Sequence, residues 1–250
     1  MSPPLFVPVE ARPEARIRLV VFPHAGGGPA SAGSLAGRFP GDVEVWSVSP
    51  PGRQARLAEP PRTDLDPFVA DLAADLPRHV PEPFALFGYC SGALLAFLTC
   101  RALDRPAARL IVGSFAAPDV AVLPRRLHAL PSDLFWDELI EMGGVPDEIA
   151  AREALRPVLE PALRADFGLL AGYRHRPAAA PLGTPVTVLY GRHDTSLTRG
   201  GLLGWRRQTA DRPVLRGLDA SHWLAETAPD ELAAVIAEEL GSAGCVSDTA

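Results

Sequence analysis

Residues 84–92 read Phe84-Ala85-Leu86-Phe87-Gly88-Tyr89-Cys90-Ser91-Gly92. The first four are an apolar run bounded upstream by Pro81 and Pro83. Ala93-Leu94-Leu95-Ala96-Phe97-Leu98 follow, good helix formers with an apolar inward face. The pattern predicts a strand, a tight turn and a helix. A glycine-x-nucleophile-x-glycine turn in that setting is a nucleophile elbow, here with Cys90 in the central position. The flanking glycines have a steric reason, since side chains there would strike neighbouring backbone on a strained turn. The central side chain also sits at a helix N-terminus, where unpaired N–H groups favour negative charge. Taken alone the motif is weak, because a cysteine after a strand is commonly a small buried hydrophobe. Its weight comes from what surrounds it.

Upstream, Arg16 to Phe22 reads as a buried strand running into Pro23-His24-Ala25-Gly26-Gly27-Gly28. Glycines after a strand let backbone N–H groups face a ligand, as an oxyanion hole requires; without the elbow they would read as a flexible loop. Residues 1–15 are proline-rich and read as an arm. Ser31 to Phe39 is a short helix and Val43 to Val48 a strand, followed by a Pro50-Pro51-Gly52-Arg53 turn with Arg56 in a polar loop. Leu65 to His79 places Phe68, Val69, Leu72 and Leu76 at a helical period.

Downstream, Arg109 to Phe115 is another buried strand, so strands alternate with helices as in a mostly parallel sheet covered on both faces. The rhythm breaks over residues 119–178, which offer helical stretches at Ser132–Met142, Asp147–Ala154 and Pro157–Tyr173. Ser132 reads as an N-cap and Gly143-Gly144 as a stop. A helical insertion after a sheet strand is placed to form a lid, because ligands bind at the carboxyl ends of parallel strands. The sheet resumes at Pro185–Tyr190, which ends in Gly191-Arg192-His193-Asp194. A helix with Trp205 follows, then a strand at Arg212–Leu218 ending in Asp219-Ala220-Ser221-His222-Trp223. A last helix spans Pro229–Leu240, and the tail 241–250 reads as disordered.

Composition narrows the function. The chain has 250 residues, 47% hydrophobic and 22% charged, which suits one globular domain over 1–250. A net charge of −6 argues against nucleic acid as a partner. No apolar run is long enough to span a bilayer, and the start of the chain lacks a signal-peptide pattern. Cys90, Cys100 and Cys245 are odd in number without framework spacing, as in a reducing cytoplasm. Every basic side chain other than histidine is arginine.

Cys90, Asp194 and His222 end predicted strands in the order nucleophile, acid, base, the order of an α/β-hydrolase fold. In that reading Cys90 attacks, His222 handles its proton, Asp194 orients the imidazole, and the N–H groups of Ala25 and Ser91 hold the oxyanion. Asp219 is a second-choice acid. His193 adjoins Asp194 but points the other way on extended chain and reads as a surface residue. His24 shapes the glycine loop. Ser91 is a poorer nucleophile candidate than Cys90 because the elbow presents its central residue.

Several blocks together resemble the type II thioesterases of polyketide and nonribosomal-peptide assembly lines. They are Phe22-Pro23-His24-Ala25-Gly26-Gly27; Pro51-Gly52-Arg53 with Arg56 and Glu59-Pro60; Arg164-Ala165-Asp166-Phe167 with Tyr173 and Pro177; Gly191 with Asp194; and His222 with Trp223. The likeness runs from about Arg18 to Leu240. It implies an α/β-hydrolase fold, no cofactor, and cleavage of acyl groups from the phosphopantetheine thiol of an acyl or peptidyl carrier protein. No metal is expected, and the chain is expected to act as a monomer.

The departure from the family pattern is in the elbow, where His-Ser is replaced by Tyr89-Cys90. A serine turns a thioester into an oxyester, whereas a cysteine makes a second thioester that can pass its acyl group to water, a thiol or an amine. An acyltransferase or cyclase is therefore the alternative to hydrolysis, and a non-catalytic carrier-binding protein a second one. Leu134, Phe135, Leu139, Phe167 and Leu170 of the lid are expected to line the acyl pocket, and Trp136, Arg125 and Arg126 are candidates for meeting an acidic carrier.

Overall fold

The architecture is that of a computed structural model describing residues 3–243. Seven strands form one sheet in the order β1-β3-β2-β4-β5-β6-β7: β1 Phe6–Glu10, β2 Ile17–Phe22, β3 Val43–Val48, β4 Phe84–Tyr89, β5 Leu110–Gly113, β6 Val186–Gly191 and β7 Val214–Leu218. All neighbours run parallel except β1 against β3. Strands buried on both faces must be apolar at successive positions, and β2 from Leu19 to Phe22, β4 and β5 are. Side chains still alternate between two cores. Val20, Phe22, Leu86 and Val112 face one side, where α2 (Leu65–His79) and α3 (Ser91–Ala102) pack. Leu19, Val21, Phe87 and Ile111 face the other, beneath α1 (Pro29–Ala36) and the last helix, Pro229–Ala243.

The amino-terminal segment is not an arm. Phe6 is buried and packs edge-on against Phe22 at 6.1 Å between ring centroids, so the segment joins the sheet as an antiparallel edge strand. An edge is where a strand tolerates a proline such as Pro8, and the pairing bulges between Pro8 and Glu10. At the other end, residues 241–243 of the expected disordered tail complete the last helix. The rest of that tail, with Cys245, lies outside the described residues.

Between β5 and β6 lie α4 (Ser132–Glu141), α5 (Asp147–Ala150) and α6 (Arg156–Gly172), with short 3-10 turns. The lid expected over 119–178 is thus helical. Ser132, however, is the first helical residue rather than the cap, and its hydroxyl donates to Glu160 at 2.6 Å. The stretch expected to be helical to Ala154 stops at Ala150, because Arg152 leaves helical backbone (φ −101°, ψ 70°). Gly143 ends α4 at φ +65°, as its type allows. After β6 come α7 (Arg199–Leu203), then a 3-10 turn bearing the buried Trp205, whose ring meets Phe97 edge-on at 5.4 Å. Beyond β7, α8 (Leu224–Thr227) precedes α9 (Pro229–Ala243).

Candidate active site

The elbow is built by sterics. Cys90 has φ +53° and ψ −124° and immediately precedes α3. A Cβ on Gly92 would lie 2.1 Å from the carbonyl oxygen of Phe22, and one on Gly88 would lie 2.5 Å from that of Gly92. The turn therefore forms only with glycine on both sides, and it lifts Cys90 to the carboxyl edge of the sheet. Parallel pairing brings the other groups to the same edge, because β2, β5, β6 and β7 end beside or near β4.

His222, on the loop after β7, faces two partners. Its Nδ1 lies 2.9 Å from Oδ2 of Asp194, whose side chain is 1% exposed. Its other partner is the sulfur of Cys90. Burial by itself would depress the imidazole pKa. Negative charge at the Cys90 sulfur, hydrogen bonds with Asp194 and Cys90 and the charge of Asp194 override it, and the pKa is pushed up to about 10. Burial would likewise raise the Asp194 carboxyl. The bonds to His222 and Ser196 win, and its pKa lies below the usual carboxylate range.

One local and two long-range polar contacts complete this site. Ser196 donates to Asp194 Oδ1 from both its backbone N–H (2.9 Å) and its hydroxyl (2.6 Å), leaving Oδ2 for His222. An Asp followed two residues on by Ser is a side-chain turn signal, and Asp194-Thr195-Ser196 carries it. The carbonyl of His222 accepts from the Ser114 hydroxyl at 2.7 Å and the Tyr89 hydroxyl at 3.2 Å, so β4 and the end of β5 tie down the loop that bears the imidazole. No local pattern announces either contact, since each spans more than a hundred residues.

The glycine loop lies opposite. Its Gly26 N–H donates to Asp166 of the lid at 2.7 Å. Among the described residues, neither the Ala25 N–H nor the Ser91 N–H has a partner within the chain. His24 is half-buried, its desolvation lowers its pKa, and its Nδ1–H donates to the Ala25 carbonyl at 2.9 Å. Its ring stands edge-on to Trp223 at 5.2 Å. His193 and Asp219 pair with each other at 2.7 Å on the surface, both more than two-thirds exposed, so Asp219 does not reach His222.

An open cleft of about 680 Å³ leads past Ala25 and Trp223 between the glycine loop and lid residues Val145, Ile149, Leu159 and Leu163. A narrow apolar cavity lies behind Ser91, lined by Phe22, Phe68, Leu94, Leu169 and Leu170. Of the five lid residues expected at the acyl pocket, only Leu170 lines either space. Leu134 is corrected outright: it is 54% exposed, because Phe135, Trp136 and Leu139 occupy the inward stripe of α4. Phe135 and Leu139 pack inside the lid, with the Arg164 guanidinium 4.3 Å above the Phe135 ring, and Phe167 is buried in the shared core. Trp136 is buried and donates to Glu160, which takes it off the surface; Arg125 is exposed, and its Nη1 donates to the Ala171 and Tyr173 carbonyls.

A parallel sheet carrying a cysteine elbow, a carboxylate–imidazole pair and a glycine loop at one edge defines an α/β-hydrolase. Residues 17–240 match the thioesterase domain family, and the chain belongs to that family. It is a thioesterase, a hydrolase acting on thioester bonds. It is 32% identical to the gramicidin S biosynthesis protein GrsT of Aneurinibacillus migulanus over 82% of this chain and 81% of that one. It is 34% identical to thioesterase PikA5 of Streptomyces venezuelae over 84% of this chain and 76% of that one. The structure of the type II thioesterase BorB from the borrelidin biosynthetic cluster superposes with a TM-score of 0.85 at 29% identity, covering 94% of this chain and 97% of BorB. Among the described residues no helix is long and apolar enough to cross a membrane.

Proposed function

We propose that this chain is a type II thioesterase of a polyketide or nonribosomal-peptide assembly line. Its substrates are acyl groups on the phosphopantetheine arm of a carrier protein, and it works through a covalent acyl-Cys90 intermediate. The observation that carries the reading is geometric: the His222 imidazole lies between the Cys90 sulfur and the buried Asp194 carboxylate, which is 2.9 Å from its Nδ1. An imidazole so placed can take the thiol proton as the sulfur attacks, which is how a cysteine nucleophile is activated.

The arm enters through the cleft beside Ala25 and Trp223. The Cys90 sulfur attacks the thioester carbonyl, whose π electrons move onto oxygen. The unpartnered N–H groups of Ala25 and Ser91 receive that oxyanion. On collapse the bond from carbon to the pantetheine sulfur breaks, and the departing thiolate takes the proton from His222. Acylation also removes the negative charge from the Cys90 sulfur, which was the largest influence raising His222. The imidazole then stays neutral and takes a proton from water as water attacks the acyl-cysteine. Collapse breaks the bond from the acyl carbon to the Cys90 sulfur, and release of the acid frees the site for the next acyl group. No cofactor enters these steps.

The sulfur itself favours a second reading, acyl transfer. An acyl-Cys90 is a thioester, so its exchange with a second carrier thiol is nearly balanced in energy, and an amine can also accept the group.

Intact-protein mass spectrometry with one acyl-loaded carrier and one empty holo-carrier tests both. Free acid alone, with an acyl mass caught on Cys90, establishes the thioesterase. Acyl mass on the second carrier establishes the transferase. Full activity in Cys90→Ala would overturn the assignment of Cys90. Cys90→Ser is expected to move the product ratio towards free acid, and an unmoved ratio would show that sulfur does not select the acceptor.

A further inference from the structure

Two sequence blocks far apart in the chain, Pro51-Gly52-Arg53 and Arg164-Ala165-Asp166-Phe167, meet at the glycine loop. Asp166 projects from α6, and its Oδ2 accepts from the Gly26 N–H at 2.7 Å. Arg53 grips the same carboxylate with both arms of its guanidinium, at 2.6 and 2.8 Å, and its Nη1 also donates to the Gly27 carbonyl at 3.1 Å. Both side chains are largely buried, at 7% and 13% exposure. The loop is thus held at consecutive residues, by its Gly26 N–H from the lid and by its Gly27 carbonyl from Arg53.

We infer that Asp166 is a positioning residue for the oxyanion hole, acting through Gly26 on the adjacent Ala25 N–H, with Arg53 holding its carboxylate in place. This rests on the reading of Ala25 as an oxyanion donor. Three observations support it. First, the bond to Asp166 occupies the Gly26 N–H, while the adjacent Ala25 N–H has no partner among the described residues. Second, Gly26 has φ +75°, which glycine adopts freely, and a Cβ there would lie 2.8 Å from Leu163, so only glycine lets the loop lie this close against α6. Third, moving α6 away would leave a buried guanidinium without its counter-charge, which is strongly unfavourable. The carboxyl-terminal part of the lid is therefore a fixed wall of the catalytic loop rather than a moving cover. An oxyanion donor acts only when it lies about 3 Å from the developing charge, so a carboxylate that sets the position of the loop can govern the rate without bonding the oxyanion itself.

The test separates attack that needs an oxyanion hole from attack that does not. Acetyl-pantetheine acylates Cys90 through a tetrahedral oxyanion, whereas iodoacetamide alkylates the same sulfur by displacement at a saturated carbon. Both rates are followed at the Cys90 peptide by mass spectrometry in wild type, Asp166→Asn and Arg53→Lys. In each variant acylation is expected to fall by about ten- to a hundredfold, with alkylation within twofold of wild type. Acylation unchanged in Asp166→Asn would overturn the inference. So would equal losses in both reactions, which would mean that the pair supports the fold or the thiolate. A variant that loses its cooperative melt is replaced by Asp166→Glu, which keeps the charge but displaces it and is expected to show the same divergence. A wild-type chain that alkylates at Cys90 but forms no acyl adduct on mixing with an acyl carrier would instead refute the Cys90 reading beneath it.

Discussion

The elbow and the lid border the same narrow cavity, Ser91 on one side and Leu169 and Leu170 on the other, yet different forces place them. At the elbow the restraint is backbone against backbone: Gly92 and Gly88 admit no Cβ, and Cys90 is set at φ +53° by the strand and helix on either side. In the lid the restraint is side chain to side chain. Glu160 on α6 accepts from Ser132 at 2.6 Å, from Trp136 at 2.8 Å and from Arg164 at 2.8 Å, and Asp166 accepts from Gly26 and Arg53. Contacts between close-packed backbones tolerate almost no substitution, whereas a hydrogen-bonded carboxylate can be weakened by degrees. The elbow should therefore fail as a unit and the lid gradually.

The largest effect expected on this comparison lies on the elbow side. Asp194→Asn should lower kcat on the order of a thousandfold or more while leaving the fold intact, because an amide no longer favours the imidazolium or the right tautomer. Steady-state kinetics check it. A loss under tenfold would remove Asp194 from the acid role.

Next in size, Gly92→Ala should cost about 3 kcal/mol or more of stability, since a methyl group must displace the Phe22 carbonyl. Urea denaturation reads this directly, and a variant as stable as wild type would mean that the turn yields more readily than its geometry implies.

A third measurement addresses the electrostatics. In Cys90→Ala the sulfur charge is gone, and the His222 pKa, followed by NMR titration, should drop from about 10 towards its ordinary value by more than a unit, or over about 1.4 kcal/mol. The sign for stability follows. A histidine whose folded pKa exceeds its unfolded 6.5 contributes stabilisation that is complete below pH 6.5 and lost as pH rises through about 10. The alanine variant should therefore show a flatter stability curve across that window. An unmoved pKa would mean that Asp194 alone raises the imidazole.

The smallest effect belongs to the lid. Glu160→Gln keeps shape but loses charge, and should cost about 1 kcal/mol of stability with kcat unchanged. Thermal melts and kinetics on one preparation check it, and a fall in kcat would show that the α4–α6 junction reaches the catalytic loop.

What could be read without coordinates follows the range of the interactions. The elbow, the strands and the helix Leu65–His79 were legible because their causes are local: glycine at fixed offsets, apolar runs and a helical period. The order Cys90, Asp194, His222 was legible because a parallel sheet brings strand ends to one edge. The edge strand Phe6–Glu10 was hidden by its prolines, and Leu134 was misplaced because an apolar residue on a helix beside three others gives no sign of which way the stripe faces.

The sequence by itself determined the α/β alternation, the elbow with its cysteine and the region of the lid, because backbone sterics and hydrophobic period act over a few residues. It took the tertiary structure to bring Tyr89 and Ser114 to the loop of His222, and Asp166 to Gly26 across 140 positions of chain. Those contacts join polar groups far apart in sequence. Such pairing leaves no periodic trace, since each partner taken alone looks like an ordinary surface residue until the fold buries it.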